Sequence, residues 1–204
     1  MIDLSDCNRL TICGLPGTGK TYLTKHICSL YGENLLIYDP LNQYTTFPDK
    51  CRYIPASDSL AEFEAVCTSL CARKQVVFVV EECERYIGQG KPMGPNAFDL
   101  INRGRNWGIY IVAVTRRIQR LSKDFFDLCQ GVVFFKCGLQ SRRYIEEMVG
   151  KEHLQHINSL EKYQFLFYQV EEPEEIKMGR LKLSGVREHI EEQTTTLAKE
   201  EEED

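Results

Sequence analysis

The chain has 204 residues, enough for one domain with a substantial core and too few for two comfortable ones. Hydrophobic residues make up 43% and charged residues 27%, ordinary for a soluble globular protein, and no apolar run reaches the roughly 20 residues that cross a bilayer. The formal net charge of −5 hides an asymmetry: residues 171–204 carry twelve acids against five Lys/Arg, leaving residues 1–170 with 20 basic and 18 acidic side chains.

The N-terminal MIDLSDCNRL has neither the basic nor the apolar region of a secretory signal. Residues 10–13 read as a first strand and 19–31 as a helix. A strand over 35–39 and an extended piece over 52–54 follow. A helix over 57–74 is expected, with Ser57 or Asp58 as N-cap and Leu60, Phe63, Val66 and Leu70 on one face. The continuous apolar run at 76–80 suits a strand buried on both faces. Then come a loop over 88–95, a helix over 96–103, a strand over 109–114, a strand over 132–136, a helix over 141–149 and a last core strand over 164–170. Alternation of this kind predicts an α/β three-layer sandwich with a mostly parallel sheet. No internal repeat is present. From Glu171 an acidic extension begins. Its alternating stretch at 176–183 predicts an edge hairpin, and EEQTTTLAKEEEED beyond it reads as a fraying, disordered end.

The nine cysteines contain no C-x-x-C pair, only Cys67 and Cys71 fall at i,i+4 spacing, and no histidine lies near them. They read as reduced, buried residues of a reducing compartment rather than as zinc ligands.

Residues 14–21 read GLPGTGKT, a full match to the G-x-x-x-x-G-K-[ST] phosphate loop. Gly14, Gly17 and Gly19 let the backbone turn tightly so that the N–H groups of this loop, Leu15, Pro16 (which has none) and Thr18 intervening, converge on phosphate oxygens. The following helix aims its positive end at the same place. Lys20 supplies charge to the β- and γ-phosphates, the Thr21 hydroxyl ligates Mg²⁺, and Tyr22 is a further candidate nucleotide contact. The strand at 76–80 runs into Glu81 and Glu82. Downstream of a phosphate loop these read as the Mg²⁺-shell carboxylate (second-sphere or water-mediated) and the general base for an attacking water. The competing reading is a strand entering a solvated acidic turn, since Glu84 and Arg85 follow at once. Between Arg103 and Lys123 lie six Lys/Arg and no acid. Thr115 ends the strand there as a candidate γ-phosphate sensor. Arg105, with Arg103 behind it, is a candidate finger on a neighbouring subunit's γ-phosphate; the alternative is a basic helix end that offsets its own dipole.

Taken in this order, GLPGTGKT, IYDPLNQY (37–44), VVFVVEE (76–82) and GRNWGIYIVAVTRR (104–117) resemble the HerA/FtsK superfamily of DNA-moving P-loop motors, over residues 8–140. The resemblance implies a RecA-like (ASCE) P-loop NTPase fold, with a motor domain over 1–170 and the acidic extension over 171–204. It implies an ATP- and Mg²⁺-dependent hydrolase coupled to double-stranded DNA translocation. Glu81 stands where the family often has Asp, and Arg116 follows Thr115 where it commonly has Gln, so Arg116 is either a sensor variant or a DNA contact. A bare motor of this size is similar to the genome-packaging ATPases of membrane-containing icosahedral viruses. Such a protein forms a homo-oligomeric ring, a hexamer or pentamer, at a capsid vertex or its internal membrane proteins, and works in the host cytoplasm or at the virion vertex. Lys91, Arg116, Arg117, Arg120 and Lys123 are then the candidate DNA contacts. Two alternatives remain at this stage: an NTP-dependent virion assembly or secretion factor (or a cellular HerA-like DNA-processing ATPase), and a nucleotide-switched binding module.

Overall fold

A computed structural model of the chain describes residues 7–171, 176–182 and 189–193. Strands β1 (Arg9–Cys13), β2 (Leu35–Tyr38), β3 (Arg52–Tyr53), β4 (Val76–Val80), β5 (Ile109–Thr115), β6 (Gly131–Phe134), β7 (Gln164–Gln169), β8 (Ile176–Lys182) and β9 (His189–Gln193) form one sheet. Its order is β3-β2-β4-β5-β1-β6-β7-β8-β9. From β3 to β6 every pairing is parallel, and from β6 to β9 every pairing is antiparallel. The helices are α1 (Lys20–Ser29), α2 (Leu60–Cys71), α3 (Pro95–Arg103), α4 (Lys123–Phe126) and α5 (Leu139–Ser159).

The apolar runs of β2, β4 and β6 follow from burial on both faces, and β1, which includes Arg9 and Thr11, is buried along its whole length as well. Alternate side chains point to opposite layers. Val77, Val79, Val112, Val114, Leu10 and Ile12 pack with Leu23 and Ile27 of α1. On the other face Phe78, Val80 and Ile111 pack with Phe63, Val66 and Leu70 of α2 and with Leu100 and Ile101 of α3. Val132 and Phe134 meet Ile145, Val149, Leu154 and Ile157 of α5. These layers make the three-layer α/β sandwich with a mostly parallel sheet that the alternation predicts.

The larger boundary differences from the sequence reading have physical causes. The N-cap of α2 is Ser59, not Ser57 or Asp58: its hydroxyl accepts from Glu62 N at 3.1 Å. The Glu62 carboxylate reaches back to the amides of Ala56 and Ser57 at 2.8 and 2.9 Å, which holds that stretch in a turn and delays the helix. Asp58 is used elsewhere, pairing with Arg85 and accepting from the Tyr86 hydroxyl. Helix α5 runs ten residues past the predicted end at 149, because Gly150 (φ 82°, ψ 166°) kinks the chain and a second helical segment follows it. The short α4 lacked a sequence signal. Residues 191–193, read as the start of the fraying end, belong to β9; the rest of that end, 194–204, lies outside the described residues. All nine cysteines are free thiols and eight are buried.

Candidate active site

In the parallel half of the sheet every strand points its C-terminal end to the same edge, and ligand sites of such sheets form there. β1 sits between β5 and β6, with Cys13 level with both Thr115 and Phe134. The loop 14–21 leaves the end of β1 and turns into α1. Its first residue is fixed by space: a Cβ on Gly14, at φ 153°, would lie 2.6 Å from Phe135 Cβ. Leu15 N donates to Lys136 O at 2.9 Å, and Tyr163 N donates to Thr18 O at 3.0 Å, so β6 and the turn before β7 clamp the loop from outside. Within it, the Thr18 hydroxyl and the Lys20 ammonium both donate to Leu15 O, at 2.8 and 2.9 Å. Burial lowers the Lys20 pKa, and the charge of Glu81 opposes that.

Across a cleft of about 100 Å³ from Pro16, Gly17, Lys20 and Thr21 stand Leu41, Gln43, Glu81, Glu82, Val114, Thr115 and Arg116. The fold thus gathers the phosphate loop, the acid pair and the end of β5 in one place. Glu81 is 5% exposed and accepts a short hydrogen bond from the Tyr44 hydroxyl. Burial pushes its carboxyl up, while Tyr44 and Lys20 pull it back down. Glu82 is equally buried and takes a left-handed backbone (φ 48°, ψ 41°), uncommon for a residue with a side chain and frequent at functional sites. Its carboxylate lies 2.6 Å from Arg116 Nη2 and 2.6 Å from Arg85 Nε.

The segment 37–44 explains itself in this geometry. The buried Asp39 carboxylate accepts from Gln43 N and Tyr44 N, both at 2.9 Å. That turn delivers the Tyr44 hydroxyl to Glu81 and brings Gln43 Oε1 within 3.2 Å of the Thr21 hydroxyl, which donates to it. Sequence reasoning quoted this motif but gave Gln43 and Tyr44 no task; the signal was the four- and five-residue spacing from Asp39. It also missed Tyr163. This residue, at φ 68°, packs its ring where a Cβ on Gly19 would be and lines, with Tyr22 and Lys25, a second lobe of about 270 Å³ beside the loop.

Thr115 is buried at the cleft, its Oγ1 accepting from Arg117 N at 3.0 Å. Arg116, carried as sensor variant or DNA contact, lines the nucleotide-side cleft through its bond to Glu82. Lys91, Arg117, Arg120 and Lys123 are exposed on segments beyond the C-terminal ends of β4 and β5. Arg103 and Arg105 are not brought to the cleft. They precede β5, Arg103 pairing with Asp99 at 3.3 Å, and the seven residues of β5 hold them about 20 Å from Thr115.

No family model matches the sequence, and no curated protein matches it. Solved structures do. The genome packaging NTPase B204 of Sulfolobus turreted icosahedral virus 2, in complex with ATP-γS, superposes with a TM-score of 0.71 at 18% identity, over 83% of this chain and 95% of that one. B204 of Sulfolobus turreted icosahedral virus, a DNA-packaging ATPase, gives 0.70 at 18% identity over the same shares. The N-terminal domain of zonular occludens toxin from Neisseria meningitidis gives 0.52 at 12% identity, over 87% and 94%. These likenesses agree with the resemblance read from the motifs, and by its sheet and its phosphate loop the chain has the three-layer P-loop NTPase fold of the packaging ATPases.

Proposed function

We propose that the chain is a Mg²⁺-dependent ATPase whose hydrolysis drives double-stranded DNA, as in packaging of a viral genome, and that it works as a ring. The observation that carries the reading is the shared cleft: Lys20 and Thr21 face Glu81, Glu82, Thr115 and Arg116 across it. B204, solved with ATP-γS and with AMPPCP, supports the nucleotide. The donor set fits a hard divalent cation, since Thr21 offers a hydroxyl oxygen and Glu81 a carboxylate whose burial a cation would relieve. Bound Mg²⁺ would neutralise phosphate charge. The chain's own residues do the rest. Lys20 holds the β- and γ-phosphates, Tyr44 orients Glu81, Thr115 stands at the γ-phosphate end, and Glu82 takes the proton of the attacking water. Tyr22 and Tyr163 line the lobe beside the loop that is assigned to the base.

Arg105, with Arg103 beside it, lies too far from its own cleft to serve there, so the reading assigns it to the next subunit of a ring. Lys91, Arg117, Arg120 and Lys123 face outward from the loops that leave the cleft and are assigned to DNA phosphates, contacts that tolerate any sequence. The motor occupies 1–170 and the acidic extension 171–204, at a capsid vertex.

ATP turnover by the assembled protein should rise on adding duplex DNA, and the rise should shrink as salt increases. Turnover indifferent to duplex at every salt concentration would sink the translocase reading. One observation favours a nucleotide-switched binder instead: Glu82 is held by two arginines. A rate unchanged by Glu82→Gln would support that second reading.

A further inference from the structure

Beyond the ends of β4 and β5 two loops close on each other. Gly88 and Leu121 form an antiparallel bridge, Gln89 N donates to Arg120 O at 2.8 Å, and Ser122 N donates to Ile87 O at 2.9 Å. Gly88 is required by contact, since a Cβ there would lie 2.3 Å from Glu84 O. The bridged loops enclose a cleft of about 420 Å³ lined by Glu84, Arg85, Gln89, Lys91, Gln119 and Arg120. Three cations line it, of which Arg85 is already paired with Asp58 and Glu82; the lining acid, Glu84, accepts from Arg116 N at 3.3 Å through Oε1, while its Oε2 has no hydrogen-bond partner among the described residues. Lys91 Nζ donates to Arg85 O at 2.5 Å, and neither Lys91 nor Arg120 pairs with a carboxylate among the described residues. An excess of unneutralised donors around an open cleft suits an anion.

Arg85 is both wall of this cleft and partner of the catalytic carboxylate. Its Nε lies 2.6 Å from Glu82 Oε2, and its Nη1 pairs with Asp58. An anion entering the cleft therefore competes with Glu82 for one guanidinium. The other arginine on Glu82, Arg116, lines the nucleotide cleft instead. We infer that the 420 Å³ cleft seats a backbone phosphodiester of the DNA duplex and that its occupancy draws Arg85 off Glu82, so that the substrate being moved releases the catalytic base. With Arg116 turned toward a triphosphate, Arg85 is the remaining restraint, and Glu82 becomes free when nucleotide and duplex are both present. This inference rests on the proposed function above and adds the coupling between its two substrates.

The test uses the full chain, a labelled duplex and a salt series. The double variant Lys91→Gln/Arg120→Gln should flatten the slope of log affinity against log salt by about 1, since both side chains serve the one phosphodiester seated there. Lys50→Gln, a surface control paired with Glu33, should leave the slope where it is. Arg85→Gln should raise the duplex-free ATP turnover and bring the ratio of rates with and without duplex toward one. Arg85→Lys, which keeps a charge for Asp58, should give an intermediate ratio, and thermal melting verifies that both fold. An unchanged slope in the double variant, an equal loss in the Lys50 control, or a wild-type ratio in Arg85→Gln would overturn the inference. If the wild-type protein neither binds duplex nor responds to it, the proposed function falls as well, which separates the two failures.

Discussion

At Glu81 opposing influences meet. Burial, the largest, drives the carboxyl toward its protonated form, and the Tyr44 hydroxyl and the Lys20 charge favour the ionised form. The ionised form is the one a divalent cation needs, so as pH falls through the Glu81 pKa, activity should fall with it. Tyr44→Phe removes the largest of the contributions that oppose burial, and the Glu81 pKa then rises further. The acid limb of the kcat/KM profile should move to higher pH in Tyr44→Phe, measured beside the wild type. A limb that stays in place, or moves to lower pH, contradicts the role given to this hydrogen bond. Tyr44 gains nothing from composition or periodicity. Its role depends on Asp39 turning the chain so that a hydroxyl five residues on reaches another strand, and a sequence does not display that distance.

Among the elements, α2 shows how a helix start is decided by a side chain three residues inside it. Ser59 and Glu62 satisfy the free amides at both sides of the junction. Ser59→Ala should cost about 1 kcal/mol in urea unfolding, as loss of an N-cap does. No change would mean that Glu62 alone holds the turn. The apolar run at β4 and the glycine-lysine pattern after β1 were legible because each records a local demand: burial on both faces, or a tight turn around phosphate. The second half of α5 was not, since Gly150 reads as a helix end, and only the packing of Leu154 and Ile157 on the sheet makes the chain resume its helix. The reversal to antiparallel pairing at β7 was likewise invisible, because strand direction is set by neighbours and not by the strand.

On the scale of the whole molecule, the sheet separates the cleft from the two upstream arginines by its own length. The cleft opens at the C-terminal edge of the parallel strands, while Arg103 and Arg105 sit before β5, about 20 Å away. A ring of subunits could bring that edge of one chain to the cleft of the next. If so, Arg105→Ala and Glu82→Gln subunits, each inactive alone, should recover measurable ATP turnover when mixed, because some interfaces then join an intact Glu82 to an intact Arg105. Mixtures that stay inactive at every ratio would exclude the shared site. The motifs made this division readable as an order along the chain. That Arg116 lines the chain's own cleft was readable only as one of two alternatives, since the choice depends on where β5 ends relative to β4.

The central claim, that the cleft hydrolyses ATP with Glu82 as base, is tested most directly by measuring nucleotide binding and turnover in Glu82→Gln. Binding of a non-hydrolysable ATP analogue should stay within a few-fold of wild type, while hydrolysis should fall by roughly 10²–10⁴-fold. Hydrolysis at the wild-type rate in Glu82→Gln would contradict the account.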